Sequence, residues 1–430
     1  MALQSLLNCE QPQLKTEKQE FMSAAVDATT LDRKLMMGYQ GWFLSPGDGS
    51  PVNGWKHWFS DNKTSDALHL TVDMWPDMKE LPPDECHATN MRFSDGRVAT
   101  LYSAYNPATV ARHFKWMQEY NLDGAMLQRF VNELSDPAAK DSRDQVAKNV
   151  QDAAEAHGRV FCMMYDITGS NATTVVNDLQ TDWTHLVDDL KVTQSPRYLR
   201  HKGKPLLAIW GLGFTRNLTT AVQGQEIVRY FKTSAASNYQ VTLMGGVPPG
   251  WRTLDSTLDS QADPAWRSVY RSFDVLSPWS VGRFENDKRA DDFRKRCILP
   301  DKAEASRLGI DYMPVVFPGF SYFNGSKGDK ARDEIPRRGG GFWWHQLHNV
   351  VSAGCTMIYG AMFDEVDEGT AMFKLAADEE DLPIQAQKRL VYLNIDGRKL
   401  RSDTYLWIAA QGARALRGEI KSTPSLPVRP

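Results

Sequence analysis

The sequence predicts an α/β protein, a (β/α)₈ TIM barrel with a long insertion after strand one. Three observations lead there. Eight short apolar, β-rich runs recur along the 430 residues. Amphipathic helical segments separate them. No G-x-G-x-x-G follows any run, which disfavours the open dinucleotide-binding sheet, the main rival arrangement.

The runs are 35–43 (LMMGYQGWF), 124–130 (GAMLQRF), 160–167 (VFCMMYDI), 205–211 (PLLAIWG), 241–247 (VTLMGGV), 274–281 (DVLSPWSV), 312–320 (YMPVVFPGF) and 356–363 (TMIYGAMF). Continuous apolar runs of this length suit parallel strands covered on both faces. The helices between them carry end signals. Asn106-Pro107 reads as an N-cap with Pro at the first helical position, before ATVARHFKWMQEY. RDQVAKNVQDAAEAHG stops at Gly158, a C-terminal left-handed position. GQEIVRYFKTSAAS, RADDFRKRC and FWWHQLHNVVSAG supply later helices, and IQAQKRLVYLNI and SDTYLWIAAQGARALRG one or two more after Asp381. Residues 1–30 lack periodicity and read as a tail. Residues 31–430 read as one barrel domain that includes the C-terminal helices, with the Trp-, Asp- and His-rich stretch 44–106 as an excursion over the barrel mouth.

With 50 Lys+Arg against 53 Asp+Glu, the net charge of −3 leaves no basic surplus for nucleic acid. No apolar run reaches membrane-spanning length. The first 20 residues lack a charged n-region followed by a long apolar stretch, so the expectation is a cytoplasmic protein, or a secreted one whose signal lies outside this numbering. Five cysteines at long spacings, without C-x-x-C, argue against a disulfide framework or a cysteine zinc site. Sequons occur at Asn62, Asn171, Asn217 and Asn324. Zinc-protease, serine-hydrolase and P-loop motifs are missing, and no cofactor or metal centre is expected. The oligomeric state is left open.

Strand ends and the first loop hold the candidate site residues. Strand one offers Tyr39, Gln40 and Trp42, strand two Gln128 and Arg129, strand three Tyr165 and Asp166, strand four Trp210, strand six Trp279 and Arg283, and strand seven Phe320 and Tyr322. The first loop adds His57, Trp58, Asp73 and Trp75. Thirteen tryptophans are a surplus that suits stacking on sugar rings. The strongest local feature is Asp364-Glu365-Val366-Asp367-Glu368-Gly369, four carboxylates directly after strand eight. Such a run elsewhere is a solvated acidic loop. At a barrel mouth, carboxylates held close split their pKa values, as acid/base work on a glycosidic bond requires. A divalent-cation site using the same loop is the alternative, although the EF-hand pattern is incomplete.

GYQGWF with Gly47-Asp48-Gly49, then HW, DMWPDM, HFKWMQEY, LDGAMLQRF, MYDITG, PWSVGRF, VVFPGFS and AMFDEVDEGTAMFK, resembles bacterial and fungal proteins described as glycoside hydrolase family 71/99-like, some labelled xylosidase/arabinosidase. The resemblance spans residues 35–374 and implies a glycan-cleaving (β/α)₈ barrel. The E-x-x-E-G element also resembles that of family 99 endo-α-mannosidases, where it reads Glu-Trp-His-Glu-Gly; here Val366 and Asp367 stand between the glutamates. The resemblance implies that Glu365 acts on the sugar 2-hydroxyl and Glu368 serves as acid/base toward the leaving oxygen, with retained configuration. The expected partner is an oligosaccharide or polysaccharide. The rival expectations are a non-catalytic carbohydrate-binding barrel and a metal-assisted hydrolase.

Overall fold

The structure is a computed structural model that describes residues 25–429. Each of the eight runs contributes a strand. In chain order the strands are β1 (Leu35–Tyr39), a hairpin of β2 (His87–Arg92) and β3 (Val98–Leu101), β4 (Gly124–Phe130), β5 (Val160–Asp166), the short β6 (Arg200–His201), β7 (Lys204–Trp210), β8 (Thr242–Val247), β9 (Val275–Pro278), β10 (Asp311–Tyr312), β11 (Val315–Val316) and β12 (Ile358–Gly360). The main sheet is parallel in the order β10-β9-β8-β7-β5-β4-β1-β12-β11, with β6 antiparallel on β7.

The seventh run does not make one continuous strand. Pro314 interrupts it, and a proline has no N–H to give a ladder. The two halves serve opposite edges. Met313 N donates to Leu276 O (2.8 Å) on the β9 side, whereas Pro314 O accepts from Tyr359 N (3.0 Å) and Val316 O from Ala361 N (2.9 Å) on the β12 side. One segment thus joins both ends of the sheet and curls it into a barrel. Inside, Gly38 of β1 lets the barrel fill: a Cβ there would sit 2.2 Å from Tyr359 Oη and Met362 Sδ.

Helices cover the outside. They are α1 (Pro107–Glu119), α2 (Pro137–His157), α3 (Val175–Asp188), α4 (Ala221–Arg229), α5 (Trp266–Tyr270), α6 (Asp287–Phe293), α7 (Leu299–Leu308), α8 (Gly341–Ser352) and α9 (Thr404–Arg417). Asn106 caps α1 by accepting from Ala108 N, and Gly158 ends α2 with φ 62°. Val110, Phe114 and Met117 make the buried stripe of α1 at i, i+4 and i+7.

Two expectations need correction. IQAQKRLVYLNI forms turns, not a helix, because neighbouring segments use its amides: Val391 N donates to Asp73 O (2.7 Å) and Leu393 N to Ala376 O (3.2 Å). The expected tail, residues 1–30, lies largely outside the described residues, but its last part is bound to the barrel. Val26 N donates to Gly158 O (2.9 Å) and Arg200 N to Ala28 O (2.7 Å). The 44–106 excursion packs on loops at the C-terminal end of the barrel. Its Asp73 and Met74 amides donate to Val366 O, and the Asp73 carboxylate accepts from Ser321 Oγ (2.5 Å), Phe323 N (2.6 Å) and Asn324 N (2.8 Å). It therefore braces the loops after β11 and β12.

Two sequon asparagines are structural. Asn217 Nδ2 donates to Gly211 O (2.7 Å) and Asn324 Nδ2 to Val72 O (2.8 Å), both buried, whereas Asn62 and Asn171 are exposed.

Candidate active site

A cavity of about 420 Å³ opens at the C-terminal ends of the strands. Gln40 and Trp42 enter it from the end of β1, Gln128 and Phe130 from β4, and Asp166 and Thr168 from β5. Trp210 and Arg216 follow β7, Trp279 and Arg283 follow β9, and Phe320 and Tyr322 follow β11. Glu365 and Glu368 come from the loop after β12. Eleven sequence candidates therefore meet here: Gln40, Trp42, Gln128, Asp166, Trp210, Trp279, Arg283, Phe320, Tyr322, Glu365 and Glu368.

The other candidates do not reach it, and strand alternation explains two of them. Side chains on a strand point alternately to opposite faces. Gln128 and Phe130 point in, so Arg129 between them points out toward the helices. There its Nε and Nη2 donate to Asp182 (2.6 Å each) and Nη2 also to Asp144 Oδ1 (2.7 Å). Tyr165 precedes the inward Asp166 and points out likewise, donating to Asp182 Oδ2 (2.7 Å). Trp58 and Trp75 are core residues of the excursion. Trp58 packs 4.1 Å from the Phe43 ring and donates to Tyr102 O (3.0 Å). Asp73 is the brace already described. His57 lies behind Trp42, stacked on it at 3.9 Å and 6°; burial, with the nearby charge of Arg143, lowers its pKa to about 3, so it stands neutral.

Asp364 is a strut. Its carboxylate oxygens accept from the amides of Gln40 (2.7 Å) and Gly41 (2.9 Å), tying the loop after β12 to the end of β1. Past it the chain turns at Gly369 (φ 63°), where a Cβ would lie 3.0 Å from Ser321 N. This turn directs Glu365 and Glu368 into the cavity. The two differ in their bonding. Glu365 Oε1 accepts from Gln40 Nε2 (2.8 Å) and Oε2 from Thr370 Oγ1 (2.9 Å), both of which favour the ionised form. The Glu368 carboxylate accepts no hydrogen bond from the described protein.

Burial pushes both carboxyls up. For Glu365, the charges of Glu368 and Asp367 add to burial. Glu368 rises to about 7 through burial, with the Arg216 charge opposing and that of Asp166 adding. Asp166, at the end of β5, is pushed to about 6 by burial against the hydrogen bond from Thr168 N (2.7 Å). Repulsion within such a set favours holding protons near neutrality.

The walls are amphipathic. Trp42 stacks on Phe130 at 5.2 Å, and Trp210 meets Trp279 edge-on at 5.4 Å. Five residues lining the cavity carry a buried polar atom without a protein partner: Gln40 Oε1, Trp42 Nε1, Gln128 Oε1, Thr168 Oγ1 and Trp210 Nε1. Each such orphan costs about 1–3 kcal/mol if nothing satisfies it. A ligand rich in hydroxyls supplies donors and acceptors at once. Among the described residues, no group of three or more His, Cys, Asp or Glu converges as metal ligands would. Sequence reasoning passed over Phe130, Thr168 and Arg216; the first two are visible as the inward alternates of Arg129 and Ile167.

No protein-family model matches the chain, and no curated protein matches it in sequence. Solved structures do match in shape. The glycoside hydrolase family 99 endo-α-mannosidase from Bacteroides thetaiotaomicron superposes with a TM-score of 0.64 at 14% identity, covering 90% of this chain and 99% of that one. The fold is similar to that of a family 99 enzyme. The same enzyme in complex with bis-tris propane gives 0.63 at 15% identity, over 91% and 99% of the two chains. A glycoside hydrolase-like protein gives 0.52 at 12% identity, over 92% and 98%. The endo-α-mannosidase likeness extends over nearly the whole described chain.

Trp42→Ala and Trp210→Ala are each expected to weaken ligand binding in the cavity about 10-fold, since each removes an aromatic face and a free N–H from the cavity wall. Trp58→Ala is expected to act on stability instead, costing about 3–5 kcal/mol. Isothermal titration and urea unfolding of the three variants separate the two effects.

Proposed function

We propose that the protein is a glycoside hydrolase that cleaves a glycosidic bond of an oligosaccharide or polysaccharide, with Glu365 and Glu368 as the reacting pair. The observation that carries this reading is the pairing of two carboxyls, buried Glu365 and half-buried Glu368, in a cavity walled by Trp42, Trp210 and Trp279. The likeness in fold to a family 99 endo-α-mannosidase supports it.

The two glutamates take different roles because their surroundings differ. Glu368 has no donor to stabilise its charge and holds its proton, which it gives to the leaving glycosidic oxygen as the C1–O bond breaks. Glu365, held by Gln40 and Thr370, accepts the proton of the sugar 2-hydroxyl as that oxygen closes on C1. The product of this step is a 1,2-anhydro sugar and a free leaving alcohol. Water, deprotonated by Glu368, then opens the anhydro ring at C1, and Glu365 returns its proton to O2. Two displacements at C1 retain the configuration. Asp166, Gln128 and the tryptophans hold the sugar in place.

With the acid group at about 7, kcat/KM is expected to fall as pH rises through that value, because the acid works only when protonated. Rates from pH 5 to 9 on a natural substrate show this limb. An aryl glycoside with a good leaving group is expected to lose it, as it needs little protonation.

A panel of glycans with products read by mass tests the proposal directly. Hydrolysis that survives excess chelator supports the two-carboxylate route. Hydrolysis lost in chelator and restored by one divalent ion assigns the loop to a metal instead. Binding without turnover of any glycan leaves a carbohydrate-binding barrel.

A further inference from the structure

The charged residues of the cavity are unevenly placed. Arg216 follows β7, Arg283 follows β9 and Lys330 lies in the loop after β11, so all three cations stand on one half of the rim. The opposite half, from β1, β4 and β5, presents Trp42, Phe130, Gln128 and Asp166. Two of the cations are answered locally: Arg283 by Asp259, and Lys330 by Glu334 at 3.8 Å. Arg216 is not. Among the described residues it has no ion pair and no hydrogen-bond acceptor; its guanidinium rests over the Trp210 ring, 4.9 Å from the centroid, with Phe214 at 5.5 Å. It is exposed to the cavity beside Glu368 and Asp166, yet pairs with neither.

We infer that Arg216 forms an anion-recognition subsite, so that the glycan taken by this cavity carries an acidic group, a carboxylate or a sulfate ester, on the sugar that lies against the Trp210 side. This inference rests on the proposed function and narrows its substrate class. A guanidinium laid on an indole keeps its N–H edge free, and that edge matches a carboxylate or sulfate with two parallel hydrogen bonds.

The test uses three versions of one disaccharide: glucuronate-terminated, its carboxyl-reduced neutral twin, and the neutral twin bearing a sulfate ester. Binding to wild type, Arg216→Met and Arg216→Lys is measured at pH 6 by tryptophan emission, which Trp210 reports, and by titration calorimetry. The expected result is that at least one acidic form binds wild type at least 10-fold more tightly than the neutral twin, with Arg216→Met erasing the difference and Arg216→Lys keeping part of it. Preference for the glucuronate assigns a uronic acid; preference for the sulfate assigns a sulfated sugar. Melting temperatures confirm that the variants are folded. Equal affinity for acidic and neutral forms, absence of binding by the acidic forms, or an acidic preference that survives in Arg216→Met overturns the subsite. Hydrolysis of neutral glycans is measured in parallel. Turnover without Arg216-dependent binding overturns the subsite and leaves the proposed function standing. Arg216-dependent binding without turnover of any glycan does the reverse.

Discussion

Glu365→Gln and Glu368→Gln are each expected to lower kcat by about 10²–10⁴, the usual cost of removing a general acid or base. The amide keeps the shape of the carboxyl but can neither deliver nor accept the proton. The two losses should differ in kind. Glu368→Gln should recover much of its rate on substrates with good leaving groups, since the missing proton matters least there. Glu365→Gln should remain impaired on those same substrates, because the attack by the 2-hydroxyl is still unassisted. Neither change should unfold the protein. Glu368→Gln replaces a carboxyl that accepts no hydrogen bond from the described protein, and Glu365→Gln leaves an amide oxygen to accept from Gln40 or Thr370. Steady-state kinetics on paired natural and aryl substrates, with melting temperatures alongside, decide this. Near-wild-type turnover in either variant removes that residue from its role, and Asp166 becomes the next group to replace.

Arg129→Met is expected to destabilise the protein by about 3–5 kcal/mol, the cost of removing one partner from a buried ion pair. Arg129 is 1% exposed and its guanidinium bridges Asp182 and Asp144 between the barrel and helices α2 and α3. Without it, Asp182 keeps, among the described residues, only Tyr165 as a donor in a buried position. Asp144 fares better, with Lys140 (2.7 Å) and His185 (2.8 Å) still beside it. Arg129→Lys should recover only part of the loss, since one ammonium cannot reproduce the fork that spans both carboxylates. Urea denaturation midpoints measure both. A cost under about 1 kcal/mol for Arg129→Met would mean that the network contributes little.

These two predictions mark where the sequence is legible and where it is not. The eight apolar runs are plain because a strand buried on both faces must be apolar throughout. That same feature hides which side chains face the interior. LQRF shows a strand end, but only the alternation within it sends Gln128 and Phe130 to the cavity and Arg129 to the helices. The acidic loop is legible through its position after an apolar run. The excursion is the hardest part. Trp58 and Trp75 look like sugar platforms in sequence because aromatic residues serve cores and ligands alike; the distinction lies in the contacts with Phe43, Tyr102 and the loops beyond β11, which are far away along the chain. Arg216 leaves no local sign, since RNLTT has no pattern of its own and acquires meaning only beside Trp210 and Glu368.

The Asp364 strut has a consequence for how the protein is made. Its partners, the amides of Gln40 and Gly41, lie 324 and 323 positions earlier and directly follow the first barrel strand to leave the ribosome. Glu365 depends on Gln40 across a similar span of the chain, 325 positions. A nascent chain that has emerged through β11 carries most of the cavity-lining residues but neither Glu365 nor Glu368. The contacts of Asp364 and Glu365 with the end of β1 form only once translation has passed β12 and the newest segment has found the oldest. During synthesis most of the cavity-lining residues are therefore made before Glu365 and Glu368.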